Sequence, residues 1–169
     1  AAACMADQGI QALVVACNTA TSAAIADLRR TYAFPVIGME PAVKPALARN
    51  AGKRVLVCAT SLTLRENKLE SLLASLGCPE RVTRLALDSL VTFAEAFDFD
   101  SPDVRAYLAR KFAKTDWSQY ESLVLGCTHF LYYRSLIREA AGPDVALLDG
   151  NAGTVNRLAS LLGLTPGET

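Results

Sequence analysis

The sequence predicts an α/β protein made of two pseudo-symmetric parallel-sheet units that face each other across a cleft, the first of them incomplete. Three observations carry this expectation. Val- and Leu-rich runs of strand length alternate with helix-compatible stretches, the order that builds parallel sheets covered by helices. Two of those runs end alike, in Ala12-Leu13-Val14-Val15-Ala16-Cys17-Asn18-Thr19-Ala20-Thr21 and Ser122-Leu123-Val124-Leu125-Gly126-Cys127-Thr128-His129-Phe130. Of the 169 residues, 51% are hydrophobic, enough to bury a substantial core.

Taken in order, strands are expected at Ala12–Ala16, Pro35–Gly38, Val55–Ala59, Val82–Leu87, Leu123–Gly126 and Val145–Leu148. Thr63-Leu64-Arg65-Glu66 has the spacing of a capping box, which makes Thr63 a candidate N-cap. Leu69, Leu72, Leu73 and Leu76 follow on one helical face, and Gly77 stops the run. Ser101-Pro102-Asp103 is a second start signal, with proline in the first turn and Val104, Leu108 and Phe112 as a core-facing stripe. Residues 153–162 read as a helix and 163–169 as a loose end. Residues 1–50 with 145–169 are expected to form the first unit, truncated at its N-terminus, and 51–144 the second. A boundary is expected near Asn50-Ala51-Gly52-Lys53 and a return crossing near Gly142-Pro143.

Seventeen basic residues balance seventeen acidic ones, so nothing points to a nucleic-acid partner or an anionic membrane surface. No apolar run approaches a membrane span, and the opening residues have neither the basic segment nor the apolar stretch of a signal peptide. Five cysteines without framework spacing suit an intracellular chain of reduced thiols. Cys127 and His129 could supply two metal ligands. His129 is the sole histidine, however, and no Cys-x-x-Cys exists, so no metal is expected. No glycine-rich phosphate loop is present and no cofactor is expected.

A free cysteine in an apolar strand is usually a small buried hydrophobe, and Cys4, Cys58 and Cys78 are read so. Cys17 and Cys127 differ. Each closes an apolar run and is followed at once by small polar residues and then by a helix-compatible stretch, which places its sulfur at the carboxyl end of a strand, near the start of a helix. Ligands bind at that edge in open α/β folds, and helix N-termini favour thiolates. Thiols can exchange protons near neutral pH. One on each side of a planar carbanion could remove a proton from carbon and return one to the opposite face, inverting a stereocentre. Asn18, Thr19 and Thr128 could grip such a substrate, and His129 could orient the Cys127 sulfur or shuttle its proton. Other readings stay open: a redox pair with the two Cα atoms within about 7 Å, a hydrolase using one cysteine with His129, and a non-catalytic amino-acid-binding remnant.

The two cysteine segments resemble the two motifs of the cofactor-independent two-cysteine Asp/Glu racemases, the glutamate racemases in particular. Gly38-Met39-Glu40-Pro41-Ala42-Val43-Lys44-Pro45-Ala46 also resembles a segment of those enzymes. Aspartate racemases share the two cysteines, but Ala20-Thr21 looks more like the glutamate enzymes. The resemblance implies that Cys17 and Cys127 are the acid/base pair, with His129 beside the second. It implies substrate contacts at Asn18, Thr128 and, less directly, Thr19, at Thr60 and Thr63 in a threonine loop, and at Glu95. It further implies glutamate as substrate, a cytoplasmic role in supplying D-glutamate for peptidoglycan, and admits a homodimer. Family members carry an Asp-Ser pair and a tyrosine-glycine segment ahead of the first cysteine motif. Nothing before Ala12 matches these, so a fragment that racemises weakly or not at all is expected. Leu131 stands where a proline is frequent.

Overall fold

The computed structural model describes residues 1–49, 52–65 and 67–164, without the side chains of Asn67 and Lys68. Glu66 of the expected capping box, the Asn50-Ala51 part of the expected boundary and the tail from residue 165 lie outside the described residues.

The elements run α1 (Ala2–Ala6), β1 (Leu13–Val15), α2 (Asn18–Thr31), β2 (Val36–Gly38), α3 (Val43–Ala48), β3 (Arg54–Ala59), α4 (Ser61–Arg65), α5 (Asn67–Leu76), β4 (Val82–Ala86), α6 (Ser89–Glu95), α7 (Pro102–Phe112), β5 (Tyr120–Leu125), α8 (Arg134–Ala141), β6 (Ala146–Asp149) and α9 (Asn151–Leu161). Every strand pairing is parallel. β1 and β2 form one sheet; the other has the order β4-β3-β5-β6. Each expected strand is present to within a residue or two at its ends except for β5, which starts earlier, at Tyr120.

Two compact units result, residues 1–40 with those from 150 on, and Pro41–Asp149. The breaks therefore lie ten residues before the expected boundary at 50 and five after that at 144/145. Packing explains both shifts. α3 buries Val43, Ala46 and Leu47 in the same cluster as Val55 and Val57 of β3, so it belongs to the second unit. β6 hydrogen-bonds beside β5, with Leu123 opposite Leu147, so it closes the second sheet.

In the second unit both sheet faces are apolar, as covered parallel strands require. Along β3 the residues alternate: Leu56 and Cys58 face one cluster, completed by α6, α7 and α8, while Val55, Val57 and Ala59 face the other, under α3, α4 and α5. Along β5, Leu123 and Leu125 join the first cluster and Val124 the second. Each such fully buried aliphatic side chain contributes about 1.5–3 kcal/mol. α7 starts as its sequence signals: the Ser101 hydroxyl accepts the Val104 N–H at 3.3 Å, Pro102 opens the helix, and Val104, Leu108 and Phe112 are buried. Gly77, at φ +67°, ends α5.

The first unit is thinner. α2 lays Thr21 and Ile25 against the strands, and α9 buries Thr154 and Ala159. On β1, Val14 points the other way from Leu13 and Val15 and is 36% exposed.

Candidate active site

Each unit carries part of the expected site at the carboxyl edge of its own sheet. In the first unit, β1 pairs with β2 as far as Val15 opposite Gly38. The Met39 N–H extends this ladder to Val15 O at 3.1 Å. Cys17 comes two residues after Val15, extended at φ −143°, ψ 125°, and its sulfur accepts the Ala20 N–H at 3.5 Å, so the thiol caps α2. Thr21, one turn along, ties the two strand ends: its hydroxyl donates to Val15 O at 3.1 Å and accepts the Met39 N–H at 3.0 Å. A side chain at Gly38 would collide with the Thr21 methyl group, which is why glycine stands there. Asn18 is 5% exposed, and its Oδ1 is buried without a hydrogen-bond partner. An orphaned acceptor of this kind costs about 1–3 kcal/mol unless a ligand supplies the donor. Thr19 is half-buried in the same turn.

In the second unit, β3 and β5 pair as far as Cys58 opposite Leu125, and Thr60 and Cys127 each follow two residues later. The Gly126 N–H donates to Cys58 O at 2.7 Å, and a Cβ there would sit 2.9 Å from that oxygen and 3.0 Å from Ala59 Cβ. Glycine is therefore what lets the chain pass close to β3 and present Cys127. The residues after Cys127 form a 3₁₀ turn, Thr128–Tyr133, before α8 begins at Arg134. In a 3₁₀ turn residues i and i+3 eclipse. Phe130 and Tyr133, three apart, are accordingly both fully buried and anchor the turn. The Tyr133 hydroxyl donates to Asp98 O at 2.9 Å; burial, with the Asp98 charge adding to it, pushes the phenol up to about 12. His129 Nδ1 lies 3.8 Å from the Cys127 sulfur, and Thr128 is half-buried beside them.

The threonine loop is present with its parts reassigned. α4 begins at Ser61, so Thr60, not Thr63, is the cap: its hydroxyl accepts the Thr63 N–H at 3.2 Å and donates to Thr63 Oγ1 at 3.0 Å. Thr63 is buried one turn inside the helix. The sequence reading missed Asp88, whose carboxylate accepts the Ser61 N–H at 2.8 Å and the Ser61 hydroxyl at 2.6 Å. Burial works against the Asp88 charge. The Ser61 bonds, its own backbone amide and the Lys111 charge outweigh this and hold the carboxyl below its ordinary range. Its position just past β4 and before α6 is the signal that could have revealed it, since the two cysteines occupy comparable places. Glu95 is exposed at the C-terminal end of α6, and no hydrogen bond or ion pair joins it to the other candidates among the described residues. Cys58, in the middle of the sheet, is the opposite of a reactive thiol: burial pushes it far up and keeps it protonated.

The pattern of strand ends, cysteine motifs and threonine loop can be set beside known proteins. Residues 1–158 match the Asp/Glu/Hydantoin racemase family. The chain belongs to that family. Among its members, a glutamate racemase of Halothermothrix orenii is 49% identical over 156 residues, covering 92% of this chain and 62% of the relative. Glutamate racemase 2 of Bacillus subtilis is 46% identical over 164 residues, covering 96% and 62%. The chain thus spans about three-fifths of the length of these curated relatives. The family fold is shared as well. The glutamate racemase of Escherichia coli, solved with L-glutamate and the activator UDP-MurNAc-ala, superposes with a TM-score of 0.81 at 29% identity, covering 99% of this chain and 65% of that one. Among the described residues, no group of three or more His, Cys, Asp or Glu is placed to hold a metal ion, and no helix is long and apolar enough to cross a membrane.

Proposed function

We propose that the protein is a glutamate racemase that interconverts L- and D-glutamate without a cofactor, with Cys17 and Cys127 as its acid/base residues. The observation that carries this is the recurrence, in each unit, of a thiol two residues beyond the end of a parallel strand. The names of the relatives support glutamate over aspartate as substrate. One thiolate removes the α-proton and the other thiol delivers a proton to the opposite face of the carbanion; the reverse reaction exchanges their states. No electrons are gained or lost. His129, beside the Cys127 sulfur, steers that thiol's proton. The orphaned Asn18 Oδ1 accepts from the substrate ammonium, which would satisfy it. Thr19, Thr60, Thr63 and Thr128 offer hydroxyls and N–H groups to the carboxylates, and Glu95 serves the second half of the site. The product supplies D-glutamate for peptidoglycan in the cytoplasm, and the assembly is a homodimer.

The test is turnover of L-glutamate by the full-length gene product in heavy water. Early product D-glutamate should carry solvent deuterium at the α-carbon while recovered L-glutamate carries little. Equal early labelling of both enantiomers would mean one base and not two; glutamate binding without any D-glutamate would remove the catalytic reading altogether.

A further inference from the structure

We infer that Asp88 is a positioning residue whose carboxylate clamps the Thr60–Thr63 turn and thereby sets how firmly the amino acid is gripped. The inference rests on the glutamate racemase reading, in which that turn holds substrate. Both carboxylate oxygens are committed, Oδ1 to the Ser61 N–H and Oδ2 to the Ser61 hydroxyl, at 2.8 and 2.6 Å. These bonds join the segment after β3 to the segment after β4, its sheet neighbour, across 27 positions of sequence. Just beneath them the Leu87 N–H donates to Ala59 O at 3.0 Å, so the strand ends are already closed together and Asp88 stands at a fixed place.

The turn has two anchors of different kinds. Thr60 capping Thr63 is internal, and fixes the turn's shape alone. Asp88 is external, and fixes where the turn stands on the sheet edge, on which Cys127 follows β5 on the other side of β3. α4 has five residues, too few to hold its place by its own hydrogen bonds. Without the external anchor the threonine hydroxyls keep their mutual geometry and lose their register with the thiol.

The test compares Asp88→Ala, Ser61→Ala, Asp88→Asn and the Asp88→Ala/Ser61→Ala double variant in the full-length gene product. Each alanine variant should raise KM for glutamate about three- to tenfold with kcat within about twofold, as loss of ground-state gripping predicts. Asparagine can still accept the Ser61 N–H and donate to its hydroxyl, so it should recover most of the loss. The double variant should be no worse than Asp88→Ala, because Ser61→Ala removes only the hydroxyl bond, which Asp88→Ala removes together with the bond to the Ser61 N–H. An active wild type whose Asp88→Ala variant keeps its KM while melting at lower temperature overturns the positioning role and leaves the racemase reading intact; so does a double variant whose losses multiply. A wild type that forms no D-glutamate overturns the racemase reading and the clamp's role with it.

Discussion

Past β1, the Cys17 sulfur accepts the Ala20 N–H at 3.5 Å and caps a helix of 14 residues; past β5, Cys127 enters a 3₁₀ turn and its sulfur lies 3.8 Å from His129 Nδ1. The two sequences read alike up to the sulfur and are supported differently beyond it. Cys17 is oriented by the helix it caps, above a two-stranded sheet with Val14 open to solvent. Cys127 is oriented by buried aromatics, above a four-stranded sheet covered on both faces. A repeated motif therefore fixed where along a strand each thiol sits and left the manner of holding it to the surroundings.

Four measurements can break or sharpen that contrast. The largest effect belongs to what the segments share: Cys17→Ser and Cys127→Ser should each lower the rate of D-glutamate formation by about 10²–10⁴-fold, the usual weight of an acid/base group. A variant that kept near-wild-type turnover would remove its cysteine from the chemistry. Next comes the third residue after each cysteine. Phe130→Ala should cost about 3–5 kcal/mol in urea denaturation, because it empties the anchor of the turn. Ala20→Gly, in α2, should cost only about 1 kcal/mol. The residue before each cysteine gives a smaller difference. Gly126→Ala forces a Cβ against the β3 backbone and should cost about 1–3 kcal/mol, whereas Ala16→Gly, at an exposed site, should cost less than about 1 kcal/mol.

The smallest effect contrasts the strand-end thiols with Cys58, inside the strand. Burial raises the folded thiol above its ordinary value of 9.0. Its contribution is complete below that pH and is lost as pH climbs through the interval between the unfolded and folded values, by about 1.4 kcal/mol per pH unit. Cys58→Ala should flatten the alkaline fall of stability just above pH 9. An unchanged slope would show that Cys58 reaches water.

Much of this was legible along the chain. The six strands, the Ser101 start of α7 and the Gly77 stop of α5 all depend on local terms, namely apolar runs, capping hydroxyls and a positive φ. The start of α4 was less so. Thr63 has the better capping sequence, yet Thr60 is the cap, because β3 ends at Ala59 and the helix starts as soon as Asp88 can receive the Ser61 N–H.

The sequence by itself determined the parallel α/β class and the placing of Cys17 and Cys127 at strand ends, since both follow from a short apolar run and the polar residues that stop it. Tertiary structure decided the rest. Strand order brought Asp88 to Ser61, pairing with β5 drew β6 into the second unit, and burial of Phe130 and Tyr133 gave the stretch between Cys127 and α8 its 3₁₀ form. Each of these is a contact between residues far apart in the chain or a packing requirement of the assembled core, and neither leaves a trace in local spacing.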